Sequence, residues 1–153
     1  MAQLLVVFQS RSGGAQALCD ALVDGAQDDL ITGVDVVVRP ATAAAASDVE
    51  RCDGLALVTP EHFGSMAGLV KDFFERIYYA VIDSKRGLPY VLAVKGGQDG
   101  LGTVSSVEKI ATGLGWRRVL EPVIVVGDVN DDQRAACWEL GATFSAGLAE
   151  GIF

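Results

Sequence analysis

The sequence predicts a doubly wound α/β sandwich, a parallel sheet covered by helices on both faces. Three observations predict it: five short valine-rich apolar runs, amphipathic helical stretches between them, and a length of 153 residues that suits one domain, 1–153. The runs are Leu4–Phe8, Val34–Val38, Leu55–Val58, Tyr90–Val94 and Val123–Val126. They are continuous rather than alternating, the pattern of strands buried on both faces. Right-handed crossovers leave few topologies, and five parallel strands at this length most simply take the order 2-1-3-4-5.

The intervening stretches carry helical periodicity. In the first, Ala15, Leu18, Cys19, Leu22 and Ala26 share one face, with Gln16, Asp20, Asp24 and Gln27 opposite. A short helix is expected after Ser47, where Ser47 and Glu50 have capping-box spacing; the Ala41–Ala46 tract before it is ambiguous. A third pattern runs from Met66 through Leu69, Val70, Phe73, Phe74, Ile77 and Val81. Its outer face offers Lys71 with Glu75 and Asp72 with Arg76 at i,i+4. The fourth joins Val104, Val107, Ile110, Ala111 and Leu114 and stops at Gly115. The last joins Cys137, Leu140, Gly141, Phe144 and Leu148, opened by Asn130 or Asp131 as N-cap.

Composition narrows the function classes. Half the residues are apolar and mean hydropathy is +0.35, which excludes disorder. Twelve basic against twenty acidic residues give a net charge of −8, so most of the surface would repel nucleic acid and anionic lipid. That charge serves solubility or steers toward a basic redox protein. The opening residues lack the basic cluster of a signal peptide, and no run reaches the ~20 residues of a membrane span; the expectation is cytoplasmic. Three cysteines, Cys19, Cys52 and Cys137, contain no Cys-x-x-Cys pair and fit reduced buried thiols, with no metal site. Phe73-Phe74 followed by Ile77-Tyr78-Tyr79 is more aromatic surface than one helix usually buries. Either two copies associate there, or Tyr78 and Tyr79 pack under the loop after the fourth strand.

In such a sheet ligands bind beyond the carboxyl ends of the strands, at the switch point between strands 1 and 3. Three loops therefore matter. After strand 1, Gln9-Ser10-Arg11-Ser12-Gly13-Gly14-Ala15 leads into a helix: converging amides, hydroxyls and a helix N-terminus suit a phosphate monoester, against the plainer reading of a Ser/Gly cap. No Gly-Lys-Ser/Thr or Gly-x-Gly-x-x-Gly follows, which disfavours triphosphate and dinucleotide loops. After strand 3 come Thr59, Pro60, Glu61, His62, Phe63, Gly64, Ser65 and Met66, with a stiff exit, one aromatic ring and the only histidine. His62 is a proton-donor candidate at neutral pH or a solvent-facing side chain. After strand 4 come Lys95, Gly96, Gly97, Gln98, Asp99, Gly100, Leu101 and Gly102, whose glycines permit close backbone approach to a planar ligand or simply a flexible loop. Gln9 and Thr59 stand where a phospho-receiver domain needs acidic residues, which excludes that class.

These loops resemble a known family. Ser10-x-Ser12-Gly13-x-Ala15 resembles the phosphate loop of flavodoxins, and Thr59 through Phe73 is similar to the second loop of the NAD(P)H-dependent FMN reductase and quinone reductase branch. The resemblance implies a flavodoxin-like three-layer sandwich that binds FMN. Ser10, Arg11, Ser12, Gly13, Gly14 and Ala15 would hold its phosphate. Pro60, Glu61, His62, Phe63, Gly64 and Ser65 would border one side of the isoalloxazine, and Gly96, Gly97, Gln98 and Asp99 the other. It also implies an oxidoreductase with NAD(P)H as co-substrate and a quinone or similar small molecule as acceptor. The alternative is a flavodoxin-type electron carrier serving another redox protein. Two departures stand out: Ala15 replaces the usual closing threonine, and no Tyr or Trp occurs in the three loops.

Overall fold

The computed structural model describes residues 1–153. In chain order the elements are β1 (Ala2–Phe8), α1 (Gly14–Ala26), β2 (Val34–Pro40), α2 (Ala46–Arg51), β3 (Gly54–His62) and β4 (Ser65–Met66). There follow α3 (Gly68–Val81), β5 (Pro89–Gly96), α4 (Leu101–Leu114), β6 (Arg117–Arg118), β7 (Val123–Val126) and α5 (Asp131–Ala149). No helix is long and apolar enough to cross a membrane.

The sheet has seven strands, not five, in the order β2-β1-β3-β5-β6, with β7 beside β5 and β4 beside β3. All pairings are parallel except β3 with β4. Two events correct the expected topology. The chain leaving β3 doubles back as a hairpin, which creates β4. The fifth position is shared by two pieces: Arg118 lies opposite Tyr90 and Val123 opposite Ala93, so Val119–Pro122 face Val91–Leu92 alone. Pro122 has no N–H to donate to a ladder, and the edge bulges around it.

Side-chain alternation along the strands splits the core into two layers. Leu5, Val7, Leu55, Leu57, Leu92 and Val94 pack with Phe73, Phe74, Ile77 and Trp116 on the α3–α4 face. Leu4, Val6, Ala56, Val58, Val91 and Ala93 pack with Leu18, Leu22 and Phe144 on the α1–α5 face. Burial on both faces holds for β1, β3 and β5; the outer strands β2 and β7 keep exposed positions at Asp35 and Val126. Phe73, Phe74 and Ile77 are buried and Tyr78 is half-buried with its hydroxyl near Gly113 of α4, so Tyr79 alone stands clear of the core.

Several helix details differ from expectation. α2 opens at Ala46, and its cap is Asp48, whose Oδ2 accepts from Ala45 N at 2.9 Å; Ser47 and Glu50 form no capping box. The Ala41–Ala46 tract is anchored from outside: the Arg76 guanidinium donates to the carbonyls of Ala41 (2.5 Å) and Ala44 (2.7 Å) and pairs with Asp72. Lys71 and Glu75 form no ion pair. α3 starts at Gly68, which leaves Met66 in β4 and Leu69 partly exposed. At α5, Asn130 caps as expected, accepting from Gln133 N at 3.0 Å while Gln133 Oε1 accepts from Asn130 N at 2.9 Å.

Helices α1 and α5 touch backbone to backbone. A Cβ on Gly141 would fall 1.9 Å from the Leu22 carbonyl oxygen, and one on Gly25 would fall 1.9 Å from that of Trp138. Gly141→Ala should therefore lower unfolding free energy by about 1–3 kcal/mol in urea denaturation, since neither helix axis can yield without disturbing the layer beneath. The three cysteines are free and buried. Burial pushes the Cys19 and Cys52 thiols up to about 12 and Cys137 up to about 11, with Asp20 adding to the rise at Cys19 and Lys85 opposing it at Cys52. Folding thus favours the neutral thiols. Their contribution is complete below the unfolded value of 9.0 and is lost as pH rises through 11 to 12. An aromatic disulfide reagent at pH 8 should label none of them in the native protein and all of them in denaturant.

Candidate functional site

The buried strands β1, β3 and β5 end at one edge of the sheet, and the three loops meet there. The loop after β1 cannot satisfy its own backbone. Gln9 N still bonds Val58 O (3.0 Å), Gly13 N bonds Ser10 Oγ (3.2 Å), and Ala17 N bonds Gly13 O (3.1 Å). The amides of Ser10, Arg11, Ser12, Gly14, Ala15 and Gln16 find no acceptor in the chain. Gly13 makes the turn with φ 100, a left-handed conformation that opens α1 and that L side chains rarely adopt. The first turn of α1 contains no acidic residue, so the helix dipole is left uncompensated. Arg11 and Ser12 are exposed, Ser10 and Gly14 half-buried, and Ala15 is buried against the α1–α5 core. Converging free amides at a helix N-terminus are the donor set a phosphate monoester needs.

The second loop is a hairpin rather than a loop entering a helix. β3 continues through Thr59, Pro60, Glu61 and His62, and His62 pairs with Ser65 and Glu61 with Met66. Phe63 (φ 53) and Gly64 (φ 73) form the two-residue turn, both left-handed as a tight hairpin of type I′ requires. Phe63 pays for that geometry with backbone strain of about 1–3 kcal/mol, and its ring is fully exposed at 108%. Thr59 Oγ1, fully buried, donates to Pro60 O (2.9 Å) and accepts from Ala67 N (3.1 Å), pinning the base of the hairpin. Ser106 Oγ of α4 accepts from Met66 N at 3.1 Å. His62 is half-buried and its ring makes no hydrogen bond.

The third loop is tied to the second. Glu61 Oε1 accepts from Gln98 N at 2.8 Å, while Glu61 Oε2 is buried with no partner. Gly96 belongs to β5 rather than to the loop, and a Cβ there would stand 3.3 Å from both Glu61 Oε1 and Gln98 O. Asp99 Oδ1 is used locally, accepting from Leu101 N at 3.0 Å. The amides of Gly97, Asp99 and Gly100 have no acceptor. No concavity of the surface is lined by all three loops. The largest, about 580 Å³, lies between α1 and α5. The loops instead form an open rim that exposes amides.

Residues 5–131 match the NADPH-dependent FMN reductase family. The chain belongs to that family. A flavodoxin of Aquifex aeolicus (strain VF5) is 27% identical over 77 residues, a segment spanning half of this chain and 40% of that relative. Solved structures establish the flavodoxin-like fold. A flavodoxin from the domain Archaea superposes with a TM-score of 0.83 at 17% identity, covering 97% of this chain and 99% of the other. A flavodoxin, WrbA-like protein from Agrobacterium tumefaciens gives 0.81 at 14% identity, covering 99% of each. An oxidoreductase from Corynebacterium diphtheriae gives 0.76 at 17% identity, covering 98% and 96%.

At the rim of this FMN reductase family member, Thr59, Ser106 and Gly102 hold the hairpin through contacts that no local motif encodes. Thr59 lies in β3 and Gly102 in the first turn of α4, and the role of each depends on what it touches. A Cβ on Gly102 would lie 2.0 Å from the Gly64 carbonyl oxygen, so this glycine lets α4 support the hairpin tip. Gly102→Ala should free the tip. Hydrogen exchange at residues 61–66 should accelerate while β1 and α5 keep their protection.

Proposed function

We propose that the chain binds FMN across the three loops and acts as an NAD(P)H-dependent oxidoreductase toward a quinone or similar small acceptor. The observation that carries this reading is the set of six acceptorless amides between Ser10 and Gln16 at the start of α1. With the hydroxyls of Ser10 and Ser12 and the charge of Arg11, they suit the dianionic phosphate of FMN. Gly13, Gly14 and Ala15 keep the approach free of bulk. The ring would then lie between Pro60–Ser65 and Gly96–Asp99. Glu61 Oε2, a buried acceptor without a donor, fits an N–H on the edge of a heterocycle, and the free amides of Gly97 and Asp99 fit its carbonyls.

When bound, FMN supplies the redox chemistry, accepting a hydride from NAD(P)H and giving electrons to the acceptor. The chain's own part is to bind, orient and leave one ring face accessible. No Tyr or Trp stands in the three loops to cover it, and the Phe63 ring projects from the hairpin into solvent. A nicotinamide needs such an open face to stack within reach. His62, on the same hairpin, is the candidate for exchanging a proton with solvent. The net charge of −8 and the flavodoxin relative favour a second reading, an electron carrier docking on a basic protein.

Purified protein titrated with FMN should quench flavin fluorescence at micromolar concentrations. Anaerobic NADH or NADPH should then bleach the bound flavin rapidly, and a quinone should restore the colour. Failure to bind FMN would remove the reading. Bleaching that accelerates only on adding a flavodoxin reductase would assign the carrier role instead.

A further inference from the structure

We infer that Lys95 is a second cation of the phosphate seat and makes this chain select the phosphorylated flavin over the unphosphorylated one. The inference rests on the FMN reading above and concerns a residue outside the loop that reading uses.

Lys95 is the penultimate residue of β5, opposite Pro60 of β3 and Val125 of β7. Alternation along β5 sends its side chain to the same face as Val91 and Ala93, the face on which α1 packs. There its stem crosses the first residue of α1. A Cβ on Gly14 would meet Lys95 Cε at 3.0 Å, Cγ at 3.1 Å and Cδ at 3.4 Å, so glycine at 14 is what makes room. The ammonium, one C–N bond of about 1.5 Å beyond Cε, stands within about 4.5 Å of that same point. The stem therefore packs against Gly14, the residue that opens α1 and whose own amide has no acceptor.

The environment leaves that charge unused. Lys95 donates no side-chain hydrogen bond and forms no ion pair, although acidic residues outnumber basic ones in the chain. The first turn of α1 offers no carboxylate. A half-buried lysine whose stem is packed and whose ammonium lacks a counter-charge, placed at a helix N-terminus that also lacks one, adds two like fields at one spot. Those fields repel unless an anion joins them. Position 15 explains the need: Ala15 has no hydroxyl to offer a phosphate, and the three N–H donors of an ammonium supply more than the one it lacks.

The test compares dissociation constants of FMN and riboflavin for the unaltered protein, Lys95→Met and Lys95→Arg at one ionic strength. Lys95→Met keeps a stem of similar length and should weaken FMN by about ten- to a hundredfold while changing riboflavin by less than about twofold. Lys95→Arg should retain most of the preference for FMN. An FMN-to-riboflavin ratio unchanged in Lys95→Met overturns the role of Lys95 and leaves the FMN reading standing. Equal losses for both ligands also overturn it, since they mean the stem only shapes the loop. If the unaltered protein binds neither ligand, the FMN reading itself falls. Should Lys95→Met fail to fold, acetic anhydride labelling of the unaltered protein decides. FMN should protect the Lys95 amine from acetylation and riboflavin should not; equal labelling with and without FMN overturns the inference.

Discussion

Because β1, β3 and β5 run parallel and are buried on both faces, each leaves the sheet at the same edge and returns through a helix on one side or the other. That constraint brings residues 9–14, 59–67 and 96–100 together, although they are far apart in the chain. It also dictates the packing needed to hold them. The α1–α5 layer closes through glycine contacts at Gly25 and Gly141, and the other layer closes through Phe73, Phe74 and Trp116. With both layers tight, the loops are fixed at their roots and free at their tips, which is the arrangement a binding edge requires.

The electrostatics of that edge oppose those of the whole. The chain is strongly acidic, yet the loop after β1 presents Arg11, uncovered amides and an uncompensated helix N-terminus, and Lys95 passes beneath it. A local positive field inside a negative surface attracts a small anion at short range and repels polyanions at long range. The ring end differs again. Glu61 spans two loops, with one oxygen satisfied by Gln98 N and the other unpartnered. On the proposed reading the two ends of one ligand meet opposite demands, charge neutralisation at the phosphate and hydrogen-bond matching at the heterocycle.

Sequence carried the fold well because the fold depends on period and burial. Continuous valine-rich runs mark β1, β3 and β5, and the stripes of α1, α4 and α5 are buried as their spacing requires, with Ile110 alone half-buried. It missed what depends on pairing at a distance. The β3–β4 hairpin reads as a loop because Phe63 is a poor residue for a left-handed turn, and the contacts that make it tolerated, from Thr59, Ser106 and Gly102, come from elsewhere in the chain. The cap of α2 was misplaced because Ser47 and Glu50 have the right spacing, while Asp48 occupies the position that reaches Ala45 N. The break between β6 and β7 was signalled by Pro122 but masked by the apolar Val119 and Leu120. Lys95 reads as the start of a glycine-rich loop, since nothing in a linear pattern links position 95 to position 14.

The hairpin joins these points to function. A left-handed phenylalanine stores strain, and strain persists only where the surroundings overrule local preference. Here the overruling contacts are Thr59 Oγ1 at the base, Ser106 Oγ along the return strand, and Gly102 beneath Gly64. Their combined effect is to hold an aromatic ring fully in solvent at the rim. Burial of that ring would be the favoured outcome for an isolated loop, since a phenyl side chain gains about 1.5–3 kcal/mol on leaving water. On the proposed reading, a structure that resists this gain keeps an apolar surface at the same sheet edge as the phosphate seat. A planar, singly phosphorylated ligand offers the complementary pair, and the exposed ring supplies a face against which a second planar molecule can settle.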